Sequence, residues 1–165
     1  MSVPDHFEHD GLRVRPWEPA DRAAGADVIA ATLCEYGLSY EPDDSDHDAH
    51  AIERHYLKAG GGFWVVEDEN GRVVGTAGYR PWAGLPGTAE IRKMYLLPCI
   101  RGRGLGRRLL AFLEDQARAA GHERVMLETA SVLREAVALY EQAGYRDASD
   151  TIETRRCDRI LVKAL

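Results

Sequence analysis

The chain has 165 residues, enough for one domain with a sizeable core, and its 45% hydrophobic and 29% charged content is that of an ordinary globular protein. A net charge of −6 argues against a general nucleic-acid binder, and no apolar run approaches the ~20 residues of a membrane span. The acidic first ten residues lack the apolar centre of a secretory signal, and the three cysteines (Cys34, Cys99, Cys157) are an odd number without metal-ligand spacing. Together these predict a reducing, cytoplasmic setting with free thiols.

Residues 1–10 read as a flexible tail and residues 12–17 as a first strand. Pro19 then opens a helix at its first turn, where its missing N–H costs nothing. Ala20, Ala23, Ala24, Val28, Ile29, Leu33 and Tyr36 give that helix an apolar stripe, and Gly37 is its stop. An acidic loop covers 38–48, and 49–59 predicts a second helix ended by Gly60-Gly61-Gly62. Two β-rich runs, 63–67 and 73–79, flank Asn70-Gly71, a tight-hairpin signal. A loop at 82–87 leads to a strand over 89–97. The next helix, from 105 to 120, places Leu105, Leu109, Phe112, Leu113, Ala117 and Ala120 at helical spacing, with Gly121 after it. Residues 124–129 form a strand, 133–143 a short helix closed by Gly144, and 155–162 a last strand. Antiparallel strands followed by alternating elements predict an α+β fold on one mixed sheet, in a single domain over 1–165.

The segment between the strand at 89–97 and the helix at 105 carries the chemistry. Gly102, Gly104 and Gly106 alternate with Arg101, Arg103, Leu105 and Arg107, and Arg108 follows. Glycines let a backbone turn sharply and bring its N–H groups close to a ligand. A helix N-terminus adds unpaired donors and a positive dipole end. A strand, a basic glycine loop and a helix start together make a phosphate or pyrophosphate site. On an acidic chain this local positive charge points to a small anionic ligand.

The run Glu90-Ile91-Arg92-Lys93-Met94-Tyr95-Leu96-Leu97-Pro98, followed by Arg101-Gly102-Arg103-Gly104-Leu105-Gly106, resembles the central motif of the GNAT superfamily of acyl-CoA N-acyltransferases. A second block, from Ala136 through Leu139-Tyr140 to Gly144-Tyr145, is similar to that family's Ala-x-x-Leu-Tyr-x-x-x-Gly-Phe/Tyr helix. The resemblance implies a mixed, mostly antiparallel sheet of about six to seven strands flanked by about four helices, splayed between the fourth and fifth strands. It implies acetyl-CoA as co-substrate, with no metal, and a primary amine of a small molecule or peptide as acceptor. Backbone N–H groups of Arg101, Gly102, Arg103, Gly104, Leu105, Gly106 and Arg107 would hold the pyrophosphate. Met94, Tyr95 and Leu96 would pair with the pantetheine arm, one N–H facing the thioester oxygen. Tyr140 would be the general acid and Glu90 the base, with Glu128 on the neighbouring strand a lesser candidate. Many members carry Asn where Leu133 stands, so one side-chain contact to the cofactor arm is missing. Homodimers are common in the family, and the sequence specifies no interface. A non-catalytic acyl-CoA sensor of the same fold is the alternative reading, and the presence of both Glu90 and Tyr140 favours catalysis.

Weaker patterns take plainer readings. Asp44-x-Asp46-x-Asp48 copies the opening of a calcium loop, but Ala49 and His55 occupy positions that need Gly and Glu, so a solvated acidic loop is expected. The resemblance implies a second use: the segment between the first two helices often walls the family's acceptor pocket, where Asp43, Asp44, Asp46 and Asp48 would attract a cationic amine. Direct transfer in the family leaves Cys99 without a covalent role. His47, His50, His55 and His122 have no ligand spacing. The run 155–159 reads as an end strand with charged outer positions. A Rossmann or Walker-type nucleotide domain is excluded, since no Gly-Lys-Ser/Thr ending or early glycine fingerprint exists.

Overall fold

The chain enters the sheet earlier than its polar N-terminus predicts. Phe7–His9 forms β1 and pairs antiparallel with β2, Leu12–Pro16, across a turn in which Asp10 and Gly11 take φ of 50° and 77°. Asp-Gly is the pair that a two-residue I′ turn asks for. Phe7 then packs ring to ring on Phe112 at 5.1 Å. The expected flexible tail over residues 1–10 gives way here to a paired edge strand.

A computed structural model describes residues 2–149 and 157–165. Pro19–Asp21 is one 3-10 turn that leads into α1, Arg22–Glu35. Val28, Ile29 and Leu33 of α1 are buried as their spacing predicts, beside Gly25 and Thr32, whereas Ala23 is exposed. The helix expected over 49–59 is broken. A 3-10 turn, His47–His50, and a π-helical turn, Glu53–Leu57, are separated by Ala51 at φ −136° and ψ 54°, which is not helical backbone. The break draws Asp48 and Tyr56 into the interior, where the Tyr56 hydroxyl donates to Asp48 Oδ2 at 2.5 Å.

β3, Gly62–Glu67, and β4, Val73–Pro81, form the expected hairpin, and Asp68 Oδ1 accepts the N–H groups of Asn70 and Arg72, each at 2.9 Å. β5, Thr88–Leu96, lies antiparallel to β4. α2, Leu105–Ala119, and α3, Arg134–Gln142, follow β5 and β6, Arg124–Thr129, respectively. β7, Arg146–Asp147, and β8, Arg159–Ala164, close the far edge. The last strand thus starts later than expected, and Arg155 and Arg156 lie outside the described residues. Among the described residues eight strands stand in the order β1-β2-β3-β4-β5-β6-β8-β7, and only β5 and β6 are parallel there. Leu105, Leu109, Leu110 and Leu113 of α2 pack with Ala89, Ile91, Val125 and Leu127 of the sheet to make the main core. The α+β class and the mixed, mostly antiparallel sheet are as the sequence predicts.

Candidate active site

The parallel pair β5 and β6 opens into a cleft. Its ladder runs only through Thr88–Arg124, Ala89–Val125 and Glu90–Met126. β6 stays paired with β8 along its full length and β5 with β4 as far as Leu96, so the sheet splays between the two parallel strands. Beyond Glu90 the two strands border a cavity of about 630 Å³ whose walls include Ile91 to Leu96, Leu127 to Thr129 and Tyr140. Beyond Glu90 the β5 edge has no β6 strand beside it, so an extended ligand can lie along it.

A bulge shapes that edge. The β4–β5 register slips between Thr76 and Gly78, and Lys93 opposite takes φ 53°, a left-handed conformation that costs a side-chain-bearing residue about 1–2 kcal/mol. Three bonds hold it there. The Thr76 hydroxyl donates to the Lys93 carbonyl at 2.7 Å, and the Lys93 ammonium donates to Asp46 Oδ1 at 2.5 Å and to the Ser45 carbonyl at 3.3 Å, and stands 3.4 Å from Asp48 Oδ1. The residues after the bulge, Met94, Tyr95 and Leu96, border the cavity as expected.

The acidic loop is therefore only partly solvated: Asp43 and Asp44 are exposed, and the other two aspartates are not. Asp46 and Asp48 are both 0% exposed and face β5. Burial alone would raise the Asp48 carboxyl; the charges of Lys93 and Arg92 win and hold it far below the ordinary carboxylate range. Arg92 Nε donates to Asp48 Oδ2 at 2.8 Å, and its Nη1 donates to Glu90 Oε1 at 2.8 Å. Arg80 Nε takes the other Glu90 oxygen at 3.0 Å. Glu90 is 4% exposed, gripped by two guanidiniums, and is not among the residues that border the cavity. Its carboxylate serves this buried ion network.

Glu128 is placed differently. It lies on the β6 wall of the cavity, and burial, reinforced by the nearby Glu90 charge, raises its pKa against the opposing pull of Arg92 and Arg80. Tyr140 of α3 stands in the same cavity wall at 6% exposure, and its hydroxyl has no hydrogen-bond partner among the described residues. Burial pushes its phenol up to about 12, so it keeps its proton at any working pH. Leu133 also borders the cavity, bringing an apolar surface where an amide is common.

The glycine loop follows Pro98–Ile100, a 3-10 turn. Gly102 and Gly104 sit at φ 74° and 77°, which only glycine adopts without strain, and a Cβ at either would meet nothing within 4 Å. The loop is thus turned by its glycines and left open on its outer side. Gly106 has another duty, since its added Cβ would lie 3.3 Å from Leu139 where α2 meets α3. Helix bonding begins with Arg108 N–H to Gly104 carbonyl, 3.3 Å, and the amides ahead of it form the positive end of α2.

The arginines of this loop divide their work. Arg107 borders the cavity at the start of α2. Arg101 borders it too, but its backbone N–H is bound to Pro98 carbonyl at 3.3 Å, and its guanidinium holds Leu96 carbonyl at 2.8 Å and both oxygens of Glu35 at 2.7 and 2.8 Å. It braces the loop against α1. Arg103 faces away from the cavity, 3.5 Å from Asp10 Oδ2, while its carbonyl accepts His9 Nε2–H at 2.7 Å. Arg108 donates to Glu8 carbonyl at 2.7 Å and lies over the Phe7 ring at 4.6 Å. The unexpected strand β1 thereby buttresses the loop from outside.

The sequence model of the acetyltransferase (GNAT) family matches residues 28–145, which span the bulged strand, the glycine loop and the Tyr140 helix. The chain belongs to this GNAT family. It is 41% identical over 128 residues to YjgM of Escherichia coli, an uncharacterized N-acetyltransferase, covering 76% of each chain. The crystal structure of an acetyltransferase from Streptococcus agalactiae superposes with a TM-score of 0.82 at 28% identity, over 94% of this chain and 99% of that one. A GNAT phosphinothricin acetyltransferase from Sinorhizobium meliloti, solved in complex with acetyl-CoA, shares the fold at a TM-score of 0.74 and 20% identity, covering 94% of this chain and 89% of that one.

Among the residues expected from the sequence, the GNAT cleft brings Met94, Tyr95, Leu96, Arg101, Gly102, Gly104, Leu105, Gly106, Arg107 and Tyr140 to one cavity. Glu90 and Arg103 stand apart from it. Thr32, Tyr36 and Glu135 also border the cavity. In the sequence Tyr36 reads only as part of an apolar stripe, and nothing there singles out Thr32 or Glu135. Cys99 is exposed, and Asp158 caps a loop by accepting Ser131 N–H at 2.7 Å.

Proposed function

We propose that this chain is an N-acetyltransferase that moves the acetyl group of acetyl-CoA directly to a primary amine. The observation that carries the reading is the cleft between β5 and β6, where an open glycine loop, a bulged strand edge, Glu128 and Tyr140 all face one cavity. The donor set fits the co-substrate. Free amides at the start of α2 suit a pyrophosphate, and the β5 edge suits the amide groups of a pantetheine arm. Acetyl-CoA supplies an activated acyl group on a sulfur leaving group.

The amine must lose a proton, and Glu128 is the group suited to take it. Its raised pKa makes it a stronger base than an ordinary carboxylate, while Glu90 has both oxygens bound to arginines. Glu90 then acts at one remove, through its charge on Glu128 and its grip on Arg92. The amine nitrogen forms a bond to the acyl carbon, and an N–H after the bulge stabilises the charge that grows on oxygen. The carbon–sulfur bond breaks, and the departing thiolate takes the Tyr140 proton. A phenol pushed up to about 12 is a weak donor in water, but the apolar surroundings that raise it raise the thiolate's proton affinity as well. Solvent then restores the Tyr140 proton.

Glu128→Gln tests this assignment, because it keeps size and removes basicity. It is expected to lower kcat by about 10²–10⁴-fold, the usual worth of a general base, with acetyl-CoA affinity unchanged. Wild-type turnover in that variant would return the role to Glu90 or to water. Acetyl-CoA binding without transfer to any amine would favour the sensor reading.

A further inference from the structure

The bulge in β5 holds a device for aiming one backbone donor, and its role rests on the acetyl-transfer reading above. Arg92 stands opposite Gly78 and Tyr95 opposite Thr76, so Lys93 and Met94 share the single β4 residue Ala77. Lys93 takes the left-handed position that such bulges usually give to glycine. The extra residue resets the alternation of side chains along the strand. Arg92 and Lys93 are consecutive, yet both reach the same acidic loop, at Asp48 and Asp46.

The alternation of backbone groups is reset as well, and two bonds fix its direction. The Thr76 hydroxyl donates to the Lys93 carbonyl at 2.7 Å. No described peptide bond is cis, and a trans peptide points its C=O and its N–H opposite ways. The N–H that shares a plane with the Lys93 carbonyl is that of Met94. With that carbonyl drawn to Thr76, the Met94 N–H turns away from β4, toward the side where β6 leaves the β5 edge. Further along, the Leu97 N–H donates to the Val74 carbonyl at 2.9 Å. Alternation back from that bond turns Tyr95 toward β4 and Met94 away from it, the same result.

Thr76 is itself held in place. It is 0% exposed, and a Cβ added at Gly25 of α1 would stand 3.7 Å from its methyl group. The methyl thus packs toward α1 and leaves the hydroxyl to the Lys93 carbonyl. We infer that Thr76 is a positioning residue for acyl transfer, whose hydroxyl aims the Met94 N–H at the thioester oxygen of acetyl-CoA. Thr76 does not border the cavity, whereas Met94 does, so Thr76 acts only through that peptide group.

Thr76→Val keeps the shape and removes the hydroxyl, and Thr76→Ser keeps the hydroxyl. Acetyl-CoA isotopically labelled at the acetyl carbonyl carbon reports the contact by infrared difference spectroscopy, since a hydrogen bond to the thioester oxygen lowers its stretching frequency. On the wild type the stretch is expected below that of free acetyl-CoA. Thr76→Val is expected to lose most of that shift and Thr76→Ser to keep most of it. With the best acceptor among n-butylamine, lysine and glycinamide, kcat is expected to fall about 10–100-fold in Thr76→Val. The Kd for CoA, which has no acyl oxygen, is expected to stay unchanged. A wild-type stretch at the free value, a shift or a kcat retained by Thr76→Val, or equal losses in both variants overturns the inference and leaves the acetyltransferase reading standing. Binding of acetyl-CoA without transfer to any amine overturns both.

Discussion

Lys93→Met probes the ion network under the bulge. The Lys93 side chain is 3% exposed, its ammonium lies 2.5 Å from Asp46 Oδ1, and it stands 3.4 Å from Asp48 Oδ1, which has no hydrogen-bond partner among the described residues. Methionine fills much the same volume but leaves two carboxylates, each 0% exposed, short of one positive charge. Asp46 keeps the Glu41 N–H at 2.9 Å and Asp48 keeps Arg92 and Tyr56, so backbone and side-chain bonds offset only part of the loss. Breaking a buried pair from one side costs about 3–5 kcal/mol. For a domain of this length each kcal/mol moves Tm by about 2–4 °C, so a fall of roughly 6–20 °C is expected. Urea unfolding followed by far-UV circular dichroism gives the free energy, and Asp46→Asn with Lys93→Met gives the paired control. The double variant is expected to recover part of the loss, since both charges of the pair are then gone. A single-variant loss under about 1 kcal/mol would refute the claim that this ammonium sustains the buried carboxylates.

Two further perturbations address the ligand loop and the base. Gly104→Val forces a β-branched residue to φ 77° at the start of α2, so calorimetry is expected to show acetyl-CoA binding weakened at least about tenfold while circular dichroism stays native; undiminished affinity would remove the loop from the binding site. Glu128→Gln carries a stability consequence beyond its effect on rate. The folded pKa of Glu128 is raised, so its contribution to stability is complete below the ordinary glutamate pKa and is lost as pH rises through the raised value. The variant is therefore expected to melt higher than wild type at neutral pH, and the gap to close in acid; a lower Tm at neutral pH would contradict the burial argument.

The features legible in the sequence were those fixed by local order. The glycine–arginine loop, the amphipathic α2 and the Leu139-Tyr140 helix each announce themselves within a dozen or so residues, because helix spacing and left-handed glycines act over that range. The fate of Glu90 was less local. Arg92 lies two positions on, on the same strand face, but Arg80 reaches Glu90 only through the β4–β5 register. Asp46 and Asp48 looked like a solvated cluster because their partners, Arg92 and Lys93, are far along the chain. Charge pairing over that distance leaves no periodic trace. β1 was missed for another reason. It has three residues, too few for an alternation to register, although the Asp10-Gly11 pair beside it is a turn signal. Glu128 was visible as a strand acid, and only the splay of β5 from β6 turns that position into a cavity wall.

The central claim is that the β5–β6 cleft is a catalytic centre in which Tyr140 delivers a proton to the leaving thiolate. The Tyr140→Phe variant tests it most directly, because it deletes one oxygen from a wall otherwise unchanged. Its kcat for acetyl transfer is to be measured at saturating amine, beside the acetyl-CoA Kd from calorimetry. The account predicts a kcat lower by about 10²-fold or more with an unaltered Kd. Turnover equal to wild type would contradict it.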